Sequence, residues 1–384
     1  MDFAALPPGT LLVGVDGGAT GVRAHEIEIV RAGTELQLRR GSHARSEDHL
    51  IVPGFHPLPP AEQRAQLDDP QLSVAEVAQG ERWLNATARC IVRVLRARNC
   101  RRALIGMAMP GLKSADGRGI TVMHHGPRIP DFCGGIERRL GARGLELMAP
   151  IGRLWGDGEC SGIGERYAGS GNLRGVRNGY YIGGGTGLAE ALLLEDEVVA
   201  LDRVESWFPK AHSMLDTLDE TFEEELSMFA INARYAAAVG AEMPLVRGSF
   251  PEDRAPDDAE AGAHLRRAGH ALARLIARRL VTLEARSSRA DEFPGPIHVE
   301  RIVVGARLGL LWRDERSRPH FVGETTRHLE ELFTQAAVRG FPAARYRTPS
   351  GRLRPDLIVA SVLRAAPAIG AAFRALRSLV GTGA

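Results

Sequence analysis

Near the amino terminus the apolar run 11–15 breaks into Asp16-Gly17-Gly18-Ala19-Thr20 before strand-like alternation resumes. Glycines let a backbone approach a phosphate and aim successive N–H groups at it, and a threonine hydroxyl adds a donor. A carboxylate at the strand end can hold a water of a Mg²⁺ ion that bridges nucleotide phosphates. A hairpin turn accounts for the same residues by geometry alone. The pattern recurs at Gly183-Gly184-Gly185-Thr186-Gly187, again between two apolar runs. Two such corners can hold the two ends of a triphosphate.

Asp157 follows an apolar stretch where strand gives way to helix, with Gly158, Glu159, Gly164 and Glu165 behind it. A carboxylate there either caps the helix or takes the proton of an attacking hydroxyl in phosphoryl transfer. Gly305-Ala306-Arg307-Leu308-Gly309 closes a further apolar run, 302–304. Such a turn can lie flat against an adenine ring, or it can be a closely packed helix start.

The elements that must position these groups alternate along the chain. Residues 11–16 and 22–30 read as an antiparallel strand pair and 35–41 as a third strand. Residues 42–72 hold several prolines and no sustained period, which predicts a long surface insertion. A helix is expected over 72–98, a strand over 102–111, a short helix over 136–140 and a strand over 145–154. After Asp157 the strand–turn–strand grammar returns in 178–199, so a duplicated fold is the natural reading. Residues 213–243 and 259–286 read as helical, 298–311 as a strand running into a turn, and 356–380 as a helix-rich tail.

Bulk composition is that of a soluble globular protein: 384 residues, 44% hydrophobic, 25% charged, formal net charge +2. No basic block is long enough to argue for nucleic acid. Cys90, Cys100, Cys133 and Cys160 show no C-x-x-C spacing, which fits a reducing compartment. The start MDFAALPPGT has neither a basic nor a long apolar leader region, and no run reaches membrane-spanning length. The expectation is a cytoplasmic protein without a membrane partner.

The ordered set Asp16–Thr20, Met109-Pro110-Gly111, Asp157, Gly183–Gly187, Val304–Gly309 and the closing APAIGAAFRAL (366–376) resembles the ROK family of sugar kinases, within the sugar kinase–Hsp70–actin superfamily. The resemblance covers most of the chain in order, through individually loose motifs. It implies an α/β fold of two ribonuclease-H-like, actin-like ATPase domains flanking a nucleotide cleft. These would be residues 1–150, with the C-terminal helix 365–384 packing back, and residues 151–364. It implies Mg²⁺ and ATP as cofactors, with Asp16 holding Mg²⁺ through water and Gly17, Gly18 and Thr20 on phosphate. Gly184, Gly185, Thr186 and Gly187 would form a second phosphate loop, and Gly305 and Leu308 would lie near adenine. Asp157 matches the catalytic base. Pro110, Gly111, Asp131, Phe132, Glu165 and His212 stand where the family contacts sugar. A homodimer is implied by the family alone.

The chain also departs from the family pattern. Gly156 replaces the asparagine expected before the catalytic aspartate, and Ala189 replaces a glycine after the second loop. All four cysteines precede the region of the family's zinc motif, so no zinc is expected. His212 lacks the glutamate expected three residues earlier, where Pro209 stands. The expected function is an ATP-dependent kinase acting on a hexose or an amino or N-acetyl hexose. A non-catalytic sugar sensor and a related BadF-type ATPase or N-acetylglucosamine kinase are the alternatives.

Overall fold

A computed structural model describes residues 6–32, 35–217, 219–246, 248–286 and 292–381. The chain forms two compact units, residues 1–174 with 365–384, and residues 175–364. The last three residues of the expected C-terminal helix, 382–384, lie outside the described residues.

In the first unit β1 (Thr10–Gly17), β2 (Gly21–Ala32) and β3 (Glu35–Asp48) form an antiparallel meander. The meander consumes residues 42–48, so the expected insertion begins only near His49. Helix α1 (Pro60–Arg64) interrupts that insertion, and α2 (Val74–Ala97) makes the crossover to β4 (Arg102–Ala108). Ser73 caps α2 by accepting the Glu76 N–H at 3.1 Å. The helix buries Trp83, Leu84, Ile91 and Leu95 against Val13 and Val15 of β1. Each such side chain contributes about 1.5–3 kcal/mol by leaving water. Strand β4 runs parallel to β1, and its exit carries the hairpin β5 (Leu112–Lys113) and β6 (Ile120–Val122). Helix α3 (Phe132–Gly141) follows. The expected strand 145–154 is instead two short pieces, β7 (Glu146–Leu147) and β8 (Leu154–Trp155), both paired parallel to β4. Helix α4 (Asp157–Tyr167) completes this run.

The boundary expected after residue 150 falls instead at 174/175. The physical reason is the packing of α4 on the C-terminal helix Ala366–Gly381. A Cβ added at Gly164 would lie 2.1 Å from the Ala366 carbonyl oxygen, and one at Gly370 would lie 1.9 Å from that of Cys160. The same helix touches the sheet backbone on the face opposite Val13 and Val15. A Cβ at Gly14 would sit 2.0 Å from the Ala368 oxygen, and one at Gly106 would sit 1.9 Å from the Ala371 oxygen. Backbone cannot step aside as a side chain can. Gly106→Ala is therefore expected to destabilise the protein by about 3 kcal/mol through overpacking. Gly141→Ala, where the added carbon meets nothing within 4 Å, should be neutral or slightly stabilising. Chemical denaturation of both variants checks this, and equal midpoints would refute the contact argument.

The second unit repeats the plan. Strands β9 (Gly179–Gly184), β10 (Leu188–Leu194) and β11 (Glu197–Val199) form a meander. Next come α5 (Phe222–Leu226), α6 (Met228–Val239), α7 (Pro251–Arg254) and α8 (Ala259–Glu284). The helical stretch expected over 213–243 is thus broken. Ser227, in extended backbone, ends α5 and caps α6 through the Ala230 N–H at 3.1 Å. Strand β12 (Arg301–Gly305) is parallel to β9, and β13 (Ile358–Ala360) is parallel to β12. Between them lie α9 (Ala306–Arg313) and α10 (Glu324–Ala337). The sheet orders β3-β2-β1-β4-β7 and β11-β10-β9-β12-β13 are the same topology twice, the duplication that the sequence grammar predicts. Among the described residues no helix is long and apolar enough to cross a membrane.

Candidate active site

Three parallel strand ends meet in the first unit. Asp16 pairs with Ala108, and Ala108 with Trp155, so β1, β4 and β8 finish level with one another. The Met109 N–H donates to the Trp155 carbonyl at 2.9 Å, extending that register. Two residues past Trp155 comes Asp157. Ligands of open α/β sheets bind outside the carboxyl ends of the strands, and both aspartates stand there.

Asp157 is the first residue of α4, while Gly156 occupies the cap position without a side chain to offer. The capping alternative therefore does not hold. The Asp157 Oδ1 accepts the Gly158 N–H at 3.0 Å, which orients the carboxylate at the positive end of the helix. The guanidinium groups of Arg153 and Arg374 each lie over the Trp155 ring, at 4.7 and 4.6 Å from its centre. Arg374 also pairs with Glu159 in the first turn of α4. This stack fixes the strand-to-helix corner from which Asp157 projects.

Burial pushes the Asp16 carboxyl up to about 7. Arg23, its cross-strand neighbour, opposes that rise, and the like charge of Asp157 adds to it. A carboxyl group whose ionisation is disfavoured by burial and by a nearby like charge suits a divalent cation, which Asp16 would hold through water.

The glycines beside Asp16 do other work. A Cβ at Gly17 would lie 2.1 Å from the Met109 sulfur, and the Gly18 N–H closes the turn on the Gly21 carbonyl at 2.8 Å. Gly17 thus packs on Met109, and the Gly18 N–H is engaged in the hairpin. Thr20 is exposed, and its carbonyl accepts the His49 N–H at 2.8 Å.

Pro110 and Gly111 open the excursion from β4. Their carbonyls and that of Met109 all accept from the Lys113 ammonium, at 3.2 Å for Pro110 and 2.8 Å for Met109. Sequence reasoning missed Lys113. It is one of two lysines in a chain whose other basic residues are arginines, and that rarity was the available signal. Asp131 is exposed and pairs with Arg138 at 2.8 Å. Phe132 and Glu165 are each 0% exposed, which corrects their assignment to sugar. Phe132 belongs to the apolar core. The Glu165 carboxylate accepts the Asn172 N–H at 2.8 Å near the far end of α4.

In the second unit the two glycine corners adjoin. Gly183 pairs with Gly305, and Gly184 bridges to Ala306. Gly185, Thr186 and Gly187 form the β9–β10 hairpin loop, with the Gly185 N–H donating to the Gly187 carbonyl at 2.9 Å. Glu223, also missed, enters this corner. Its Oε2 accepts the Leu188 N–H at 2.9 Å and would lie 2.7 Å from a Cβ at Gly187. Gly184 packs on Leu308, which is 0% exposed, so Leu308 supports the loop and offers no surface to adenine. Gly305 accommodates the Tyr181 ring, with a Cβ there 2.3 Å from the hydroxyl oxygen. Its close approach is therefore to protein. The groups exposed at this corner are Ala306, held at φ 51°, and Arg307. A non-glycine residue in left-handed backbone stores strain of the kind that clusters at binding sites. His212 is exposed on the single turn Ala211–Ser213.

No family model and no curated protein sequence matches the chain. Solved structures do match over nearly its whole length. A ROK hexokinase from Thermus thermophilus is 16% identical, with 97% of this chain and 100% of that one covered at a TM-score of 0.57. A ROK family glucokinase from Streptomyces griseus, solved with glucose and AMPPNP, is 15% identical over 96% and 99% of the two chains at 0.60. A ROK family transcriptional regulator is 13% identical over 96% and 79% at 0.54. At such identities the likeness is one of fold, and the fold of this chain is that of the ROK sugar kinases, of the actin-like ATPase type.

Proposed function

We propose that the protein is an ATP-dependent sugar kinase, in which Asp157 takes the proton of a sugar hydroxyl as it attacks the γ-phosphate. The observation that carries this reading is the level register of β1, β4 and β8, which brings Asp16 and Asp157 to one sheet edge. Phosphoryl transfer depends mostly on positioning and charge stabilisation, and this edge supplies an oriented base beside a second carboxylate. Mg²⁺, when bound, would neutralise the charge of the transferring phosphoryl group. Asp16 would hold it through water, and Thr20 would donate to phosphate. Within the second unit, the Gly185–Gly187 loop would bind phosphate, and the carboxylate of Glu223 in that corner favours a phosphate that arrives already complexed with a cation. Ala306 and Arg307 present the exposed surface for the base. The acceptor would be a hexose or an amino or N-acetyl hexose, met in the first unit by Pro110, Gly111 and Asp131; His212 would be a separate sugar contact of the second unit.

Gly156 stands where its Cβ would meet only the Glu159 Cβ, at 4.0 Å, so packing does not demand a glycine. This position leaves open space beside the base. It favours an acceptor whose hydroxyls are not all held from that side.

The test is ADP release with Mg-ATP against hexoses, amino sugars and N-acetyl sugars. Sugar-stimulated release that disappears on chelating Mg²⁺ is the expected outcome. Sugar binding without turnover for any acceptor would overturn the kinase reading in favour of a sensor.

A further inference from the structure

The excursion from β4 to α3, residues 109–131, leaves the same sheet edge that carries Asp16 and Asp157. Three side chains hold it. Lys113 gathers the carbonyls of Met109, Pro110 and Gly111. Gln63 of α1, 1% exposed, binds Met123 at both polar atoms: its Oε1 accepts the Met123 N–H at 2.7 Å and its Nε2 donates to the Met123 carbonyl at 2.9 Å. Arg128, also 1% exposed, pairs with Glu76 at 2.9 Å, and its remaining donors reach the Gln66 side chain at 2.7 Å and the Gln71 carbonyl at 3.0 Å. Gln63, Gln66 and Gln71 all belong to the insertion between β3 and α2. The buried Gln63 and the half-buried Gln66 thus spend their side-chain amides on the excursion.

A surface insertion with no task beyond covering α2 would anchor itself through apolar contacts. This one reproduces a two-point backbone pairing with an amide side chain and meets a buried guanidinium with two of its own glutamines. Buried polar contacts of this kind specify one geometry, because any displacement strands an unpaired donor. Directly after the clamped Met123 come His124 and His125, exposed and stacked at 4.1 Å.

We propose that the insertion sets acceptor specificity: Gln63 and Arg128 are positioning residues that hold 123–131 in one geometry, so that its exposed residues His124, His125, Pro130 and Asp131 form an acceptor wall. The inference rests on the kinase reading above. It assigns Gln63 and Arg128, and not the His49 end of the insertion that meets Thr20, to the acceptor side.

The experiment compares wild type with Gln63→Met, which keeps side-chain volume and removes both bonds to Met123. Acceptor and Mg-ATP kinetics are measured across the sugar panel, with amide hydrogen exchange over 123–131. The expected result is a fall of about tenfold in kcat/KM for the acceptor, carried by KM, since small misplacements near the reacting groups have such effects. The KM for Mg-ATP should change by less than about twofold, the ranking of acceptors should shift, and exchange over 123–131 should quicken. Arg128→Lys, which keeps the charge but cannot reach all three partners, should move the same parameters in the same direction. Unchanged acceptor parameters in a variant that still turns over would overturn the inference alone. An equal loss for acceptor and nucleotide would also overturn it, by showing a general structural effect. A wild type that phosphorylates no acceptor would overturn the kinase reading and this inference together.

Discussion

Asp157→Asn is expected to lower sugar-stimulated ADP release by about 10²–10⁴-fold, the range associated with losing a positioned general base. The substitution is close to silent for the fold, and the structure says why. The Asp157 Oδ1 accepts the Gly158 N–H at 3.0 Å, and an asparagine oxygen keeps that bond. Gly156, not Asp157, occupies the cap position, so no helix cap is lost. What disappears is a negative charge in the first turn of α4, with about 0.3–1 kcal/mol of helix-dipole stabilisation. Single-turnover kinetics beside a denaturation curve separate the two effects. Near-normal turnover with unchanged stability would remove Asp157 from the mechanism.

The second large effect has opposite signs for activity and stability. Asp16→Asn should lower Mg²⁺-dependent turnover by about 10²-fold or more, because the residue that would hold the metal's water loses its charge. The same variant should be more stable than wild type at pH 8, by about 2–4 kcal/mol. In the fold the Asp16 carboxyl is pushed up to about 7, chiefly by burial and further by Asp157, against about 3.9 in an unfolded chain. A raised carboxyl group favours the folded state fully below its unfolded pKa and loses that contribution as pH rises through the folded one. The stability gap between variant and wild type should therefore open as pH rises from about 4 to 7 and be flat above. Denaturant midpoints at several pH values, with chelator present, check it. A gap that is constant or that narrows with rising pH would contradict the buried-carboxylate account.

Much of this architecture was legible in local sequence. Alternating and apolar runs located β1, β2 and β9, and a helical pattern over 72–98 located α2. The repeated strand–corner–strand grammar anticipated a topology that occurs twice. Asp157 stood out because a carboxylate at a strand-to-helix junction is uncommon without a role. Local pattern failed where contacts are distant in the chain. Nothing near Glu165 or Phe132 reveals that they are fully buried, since one answers to the 168–174 turn and the other to the core under α2. Gly17 and Gly18 suit phosphate in the sequence because glycine is permissive in every such corner. Only the Met109 sulfur and the Gly21 carbonyl show what each glycine accommodates. Lys113, Gln63, Arg128 and Glu223 escaped notice because a single polar residue in a loop carries no periodicity.

By itself the sequence determined the kinds of elements, their order, the duplicated plan and the chemistry-bearing residues at strand ends. These follow from short-range rules: backbone conformation, side-chain periodicity and the capping of neighbouring amides. The tertiary structure alone decided where those residues lie and what packs around them. It placed Asp16, Asp157, Thr20 and Arg307 at the carboxyl ends of strands and their adjoining turns, and packed Gly17, Leu308 and Glu165 against distant neighbours. It also turned an irregular insertion into the support of one loop. Which distant atoms fill the space beside a group is set by close packing across the fold and not by the residues next to it in the chain.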